Sequence, residues 1–193
     1  EFNRASIAGY AQNEFFFTDD LSLTLGGRTE WFDNRVKNAA STTSYSKRES
    51  AVEAALLYRP TETSKVYAKA GRFYHAPFID EIFAGAGTPN LALAPETGLN
   101  LEIGTEARIA NEWLAALSLY HMDMDDEIYY DPAAFQNRNS PGDTRRMGLD
   151  AALRWSRDRV GSASLAYSAV RAKFDGGPYD DNRVPLVPTH TIG

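Results

Sequence analysis

The chain of 193 residues carries 20 Lys+Arg against 26 Asp+Glu, a net charge of −6, and no cysteine. With no basic cluster beyond Lys47-Arg48 and Arg145-Arg146, a phosphate-neutralising surface is excluded, and nucleic acid is not an expected partner. The lack of Cys excludes a disulfide framework and a thiolate metal site. No apolar run reaches the ~18 residues that a membrane-crossing helix needs.

Apolar residues recur at every second position, which predicts strands separated by turn-rich breaks. Ile7 to Phe16 reads as the first strand and ends at Thr18-Asp19-Asp20. Leu21 to about Asp33 is the second, with Leu21, Leu23 and Leu25 opposed to Ser22, Thr24, Arg28 and Glu30. Asn34 to Lys47 is polar, shows no apolar period and reads as a loop. Strands follow at about Ser50 to Tyr58 and at Val66 to Phe73, with the turn Arg59-Pro60-Thr61-Glu62 between them. A long segment rich in Pro and Gly comes next, with one helical turn expected near Asp80 to Ala84 and backbone flexibility at Gly85-Ala86-Gly87.

The cleanest strand is Leu99 to Ile109. Leu99, Leu101, Ile103, Ala107 and Ile109 occupy one face, and Asn100, Glu102, Gly104, Glu106 and Arg108 the other. After a tight turn at Ala110-Asn111-Glu112, Trp113 to about Asp123 is the sixth strand, and Asp125 to Thr144 is loop. Met147 to about Ser156 and Gly161 to Lys173 form the seventh and eighth, joined at Arg157-Asp158-Arg159. Asp175 to Pro188 is loop, and Thr189 to Gly193 starts a ninth strand.

Two regularities set the class. The strands run to about ten residues, the length a tilted strand needs to cross a bilayer. The connections alternate short and long, so an up-and-down meander puts all the long ones at one end. The expectation is an all-β, antiparallel up-and-down meander that is part of a large transmembrane β-barrel, with residues 1–193 as one partial barrel domain. The low mean hydropathy does not oppose this, because such strands expose a polar face to the lumen. Leu21, Leu23, Leu99, Leu101, Ile103, Leu149 and Leu153 should share the lipid-side face, with Glu102, Glu106, Asp150 and Arg154 opposite. Trp31, Tyr58, Trp113 and Trp155 are expected at strand ends, where aromatic rings sit at the lipid–water interface. A segment of this kind has unpaired edges and is not expected to fold alone as a soluble monomer. A soluble β-sandwich binding module and a passive porin are the alternatives.

Catalytic motifs are missing: no Gly-x-Ser-x-Gly, no phosphate-cradling loop and no His-Glu-x-x-His. The chain is therefore not expected to be an enzyme or to hold a cofactor. His75, His121 and His190 lie in three separate segments and make no metal-ligand spacing. The acidic run Asp123, Asp125, Asp126, Glu127 and Asp131 suits calcium by its oxygens but has no EF-hand glycine, and reads better as a solvated rim. The long loops carry Tyr74, His75, Phe83, Tyr129, Tyr130 and Arg138, together with Phe78, Phe135 and Tyr179. Exposed aromatics with a few polar groups at one rim point to ligand binding.

Several stretches, in order, resemble a known family. Phe73-Tyr74-His75-Ala76-Pro77, Glu81, Pro89-Asn90-Leu91, Pro95-Glu96 and Asn100-x-Glu102-x-Gly104 look like the late-barrel signature of TonB-dependent outer-membrane receptors. Tyr120 to Ile128 and Thr144 to Asp150 continue the likeness over most of the chain. The resemblance implies a bacterial outer-membrane barrel of about 22 strands around a plug, importing a scarce nutrient with TonB-derived energy. Its partners would be an iron–siderophore or similar ligand, outer-membrane lipid, its own plug domain and TonB. Haem-type members carry a Phe-Arg-Ala-Pro box and an Asn-Pro-Asn-Leu box flanking a histidine. Here Tyr74-His75-Ala76-Pro77 and Thr88-Pro89-Asn90-Leu91 stand in those places with no histidine between them. The implied ligand is thus an iron–siderophore first, with cobalamin or haem as alternatives. The implied ligand-binding residues are Tyr74, His75, Phe83, Tyr129, Tyr130 and Arg138.

Overall fold

The computed structural model describes residues 2–37, 42–83 and 89–193. Its framework is one nine-stranded sheet in the order β1-β2-β3-β4-β5-β6-β9-β10-β11. The strands are β1 (Phe2–Phe16), β2 (Leu21–Lys37), β3 (Thr42–Thr61), β4 (Ser64–His75), β5 (Glu96–Ala110), β6 (Trp113–Asp125), β9 (Asp143–Arg157), β10 (Gly161–Asp175) and β11 (His190–Ile192). Every pairing is antiparallel and follows chain order. Among the described residues the strand order is interrupted by a separate hairpin, β7 (Ile128–Asp131) with β8 (Gln136–Asn139), inserted between β6 and β9. The other sheet among the described residues is that two-stranded hairpin, and the leucine-bearing face of the nine-stranded sheet stays exposed, so the sandwich alternative does not fit.

Register converts the alternation into two faces, because residues directly opposite across a ladder point the same way. One row runs Leu23, Leu56, Ala68, Ile103, Leu119, Leu149 and Ala169 across six strand junctions. The adjacent residues give the opposite row, Thr24, Ala55, Lys69, Glu102, Tyr120 and Gly148. Leu99, Leu101 and Ile103 remain exposed on the apolar face, as do Leu56, Leu119 and Leu165. On the polar face, register partners are bonded: Lys65 to Glu106 and Lys69 to Glu102, each at 2.9 Å, with the Tyr67 hydroxyl donating to Glu102 at 2.6 Å. The leucines and charged residues expected on opposite faces fall there.

Glycines on the polar face make room for rings on neighbouring strands. Gly98, Gly104 and Gly148 are register partners of Phe73, Tyr67 and Tyr120. A Cβ added at any of the three would overlap the partner ring. The ring takes the space a side chain would fill, covering a position that otherwise contributes no side-chain packing.

The strands are longer than the sequence pattern suggests. β2 has 17 residues and β3 has 20, so Asn34–Lys37 and Thr42–Lys47 are strand rather than loop. The polar segment keeps the ladder, from Asn34 opposite Tyr45 to Lys37 opposite Thr42, because backbone pairing needs no apolar face. The third strand likewise continues through Arg59 to Thr61, which moves the turn to Glu62 and Thr63. Trp31 consequently lies inside β2 and not at its end, opposite Ile7 and Arg48. Tyr58, Trp113 and Trp155 do sit at the short-turn end, the two tryptophans directly opposite each other. The expected helical turn is α1 (Ile79–Ile82). Gly85-Ala86-Gly87 and Thr88 lie outside the described residues.

Candidate functional site

The long connections gather at one end of the sheet, and the first of them folds inward. Arg4, near the start of β1, donates from Nε to Asn34 Oδ1 and from Nη2 to the Pro77 carbonyl, both at 2.6 Å. The Phe2 and Phe83 rings meet edge to face at 5.4 Å, and the Tyr45 hydroxyl donates to the Leu93 carbonyl at 3.3 Å. Phe32 and Val36 of β2 are buried together with Ile82 and Leu93 of the loop. Phe32, Asn34 and Val36 share the face of Ser22 and Thr24, so the segment between β4 and β5 packs on the polar face of β1 to β3. It makes a small apolar core there, beyond the apolar band of the opposite face.

α1 is held by Glu81, whose Oε2 accepts the Phe78 N–H at 2.6 Å and lies 3.1 Å from His75 Nε2. That carboxylate satisfies an N–H the first turn leaves unpaired. The His75 ring packs edge to face on Phe78 at 4.7 Å. Tyr74 donates to Glu30 at 2.8 Å and accepts from Arg28. Tyr74, His75 and Phe83 are therefore all engaged with the scaffold.

The second long connection, residues 126–142, is stitched to the first by three asparagines. Asn90 donates to the Asn137 carbonyl at 2.8 Å, and Asn137 donates to the Glu81 carbonyl at 3.0 Å. Asn139 accepts the Ala94 N–H at 2.8 Å and returns a bond to the Ala94 carbonyl at 3.0 Å. Glu96 accepts the Ile128 N–H at 2.6 Å; burial raises its carboxyl above the ordinary range, against the opposing pull of that bond. The two loops meet through backbone and amide groups. Their aromatic side chains diverge.

Tyr129 and Tyr130 turn toward the third long connection, residues 176–189. With Pro132, Phe174, Tyr179 and Pro185 they wall a cavity of about 660 Å³, whose polar lining includes Glu127, Asn182 and Arg183. Tyr179 leans on Phe174 with ring centroids 5.6 Å apart. The third loop is pinned by Lys173 to Asp181 and by Asp180, which accepts the Gly176 N–H at 2.8 Å. Lys173 holds the Asp181 carboxyl below its ordinary value. Leu186 is fully exposed, with φ of 62°. Arg138 lies apart from the cavity, 3.3 Å from Asp131, and Phe135 is exposed at the hairpin tip. The sequence pointed to Tyr129, Tyr130 and Tyr179; it gave no sign of Phe174, Arg183 or Pro185, which become neighbours only when two loops pack.

Part of the acidic run is taken up by partners. Asp123 meets His121 at 3.0 Å and Arg145 at 2.9 Å, and Glu127 accepts from Thr144 at 2.7 Å and Arg146 at 2.5 Å. Asp143 has its carboxyl raised by burial and then by repulsion from Asp125, Asp126, Asp175 and Asp123. Among the described residues no group of three or more His, Asp or Glu is arranged to hold a metal ion.

Comparisons with known proteins agree with this architecture. The pesticin receptor of Yersinia pestis is 27% identical over 138 residues, which cover 70% of this chain and 20% of that protein. The chain thus spans about a fifth of the length of the curated relatives it matches. The ferric yersiniabactin uptake receptor FyuA from Yersinia pestis superposes with a TM-score of 0.76 at 18% identity, over 99% of this chain and 30% of that one. The ferric citrate transporter FecA does so with a TM-score of 0.75 at 19% identity, again over 99% and 30%. These two superpositions speak for the fold. The family described as TonB dependent receptor-like, beta-barrel matches residues 1–193 in full, and the chain belongs to that family.

Proposed function

We propose that the chain is part of a bacterial outer-membrane receptor that binds an iron–siderophore at its long-loop end and imports it with TonB-derived energy. The observation that carries this reading is the aromatic cavity between the second and third long connections, beside loops stitched together over the polar face. Aromatic walls with a few placed polar groups suit a large chelate with flat organic arms. The names of similar proteins, a ferric yersiniabactin receptor and a ferric citrate transporter, support iron complexes as the ligand class. A passive porin would have no use for an aromatic cavity at its mouth. The reading is transport, not catalysis.

Within this reading Tyr129 and Tyr130 contact the ligand, whereas Tyr74, His75 and Phe83 act by holding the first loop in place. Arg138 fixes the hairpin through Asp131. The test is uptake of radiolabelled ferric complexes by cells carrying the full receptor. Tyr130→Ala should lower uptake severalfold at equal surface abundance. Parent-like uptake by the combined Tyr129→Ala, Tyr130→Ala variant would remove these tyrosines from the site, and no uptake of any ferric complex by the parent would overturn the function.

A further inference from the structure

We propose that the cavity between the second and third long connections selects ferric complexes that are neutral or singly negative and carry an aryl group, and rejects trianionic tris-catecholate complexes. This deepens the receptor reading above and rests on it.

Charge decides the first half. Residues 125–143 and 175–188, which contribute most of the cavity wall, hold eight Asp and Glu against two Arg. Strand residues next to the cavity add cations, but these face acids of their own: Arg146 is paired with Glu127, Arg145 with Asp123 and Asp175, and Lys173 with Asp181, on which Arg171 also acts through space. Of the two loop arginines, Arg138 is committed to Asp131. Asp125, Asp126 and Asp143 have no ion-pair partner among the described residues, and the raised carboxyl of Asp143 reports the negative potential they share with Asp123 and Asp175. Against this stands one cation on the lining, Arg183. It donates to the Thr189 hydroxyl and has no carboxylate within ion-pair distance among the described residues. One free guanidinium answers one negative charge. A threefold anion would bring two further charges into a field of its own sign.

The lining decides the second half. Tyr129, Tyr130, Tyr179 and Phe174 supply ring faces, with Pro132 and Pro185 closing the apolar wall. Rings of this kind stack on a flat aryl group. Glu127 is occupied by Thr144 and Arg146, so it has little left to offer a ligand donor.

The test is equilibrium binding to the purified full receptor by intrinsic fluorescence quenching, with three probes. These are the ferric complex of a phenolate chelator that is neutral or singly negative, a ferric tris-catecholate, and a non-aromatic ferric trihydroxamate. The phenolate complex should bind at least tenfold tighter than either of the others. Raising the salt should narrow its lead over the tris-catecholate, because screening weakens repulsion. Arg183→Gln should weaken the singly negative complex severalfold without changing the melting temperature. Asp125→Asn with Asp126→Asn and Asp143→Asn should improve tris-catecholate binding severalfold. A tris-catecholate that binds as tightly as the phenolate complex, or is unaffected by the three substitutions, overturns the charge rule while the receptor reading stands. A trihydroxamate that binds as tightly overturns the aryl rule. If none of the three binds, the receptor reading fails and the inference with it.

Discussion

An arginine ladder down the apolar face of β5 would measure how deep each position lies. Along β5 the apolar-face residues are Leu99, Leu101, Ile103, Thr105, Ala107 and Ile109, and Leu99 shares its row with Asp123 and Arg72. That charged row marks the upper edge of the band. From Leu99 to Ile109 is ten rises, about 33 Å along the strand at ~3.3 Å each. At the usual tilt of about 40° this projects to roughly 25 Å on the membrane normal, the height of the apolar band of such barrels. Ile103 is four rises below Leu99, about 10 Å down the normal, and so lies within ~3 Å of the midplane. Leu101 is only about 5 Å below the edge by the same rise and tilt. An arginine at Ile103 should therefore cost about 2–4 kcal/mol, one at Leu101 about half of that, and one at Leu99 less than ~1 kcal/mol. The assay is denaturant unfolding of the full barrel in lipid vesicles, each variant against the parent. A flat profile, or one in which Leu99→Arg costs the most, would refute the placement of the band.

Other expectations follow from contacts described above. Gly148→Val forces a side chain into the Tyr120 ring and should destabilise by about 1–3 kcal/mol; a double-mutant cycle with Tyr120→Ala should recover much of it, and strict additivity would count against the pairing. Asn137→Ala removes the amide donor to the Glu81 carbonyl and should speed protease cleavage in residues 126–142, with unchanged cleavage arguing against the stitch. The Lys173–Asp181 pair sets a pH dependence with a defined sign. Because the Asp181 carboxyl is depressed in the folded protein, its contribution is present above the ordinary Asp range and is lost as pH falls through the lowered value. Hydrogen exchange in residues 176–188 should rise in that acid window, and Lys173→Met should abolish the rise. Asp143 works in the other direction: its raised carboxyl favours the folded strand end once protonated, so Asp143→Asn should slow hydrogen exchange where β9 pairs with β10 at Asp175 at neutral pH.

The strand order and three of the four long connections expected were legible because a face that meets lipid must alternate, and turns must interrupt the alternation. Where neither face meets lipid the pattern falls silent, which is why Asn34–Lys37 and Thr42–Lys47 read as loop although they pair residue by residue. The four-residue strands around Tyr129 and Asn137 were too short to show a period. In the site, the sequence marked aromatic loop residues but not their allegiance. Tyr74 and Phe83 read as ligand contacts, and nothing in the sequence hinted that Glu30 and Phe2 lie against them. The matching of Gly98, Gly104 and Gly148 to rings needed the register of neighbouring strands, and period alone does not give it.

The bond from Arg4 to the Pro77 carbonyl joins residues 73 positions apart, across the three ladders that pair β1 through β4. Each hairpin of the meander closes locally, so the sheet can zip from turn to turn with little loop entropy to overcome. The small core of Phe32, Ile82 and Leu93 cannot form that way, because it waits for β1 through β4 to be in register before the following segment can settle. During assembly the far end of β2 therefore stays oily and uncovered after its ladder is complete. That interval is the chain's point of exposure to misassociation, and it closes only when the residues just before β5 fold down onto it.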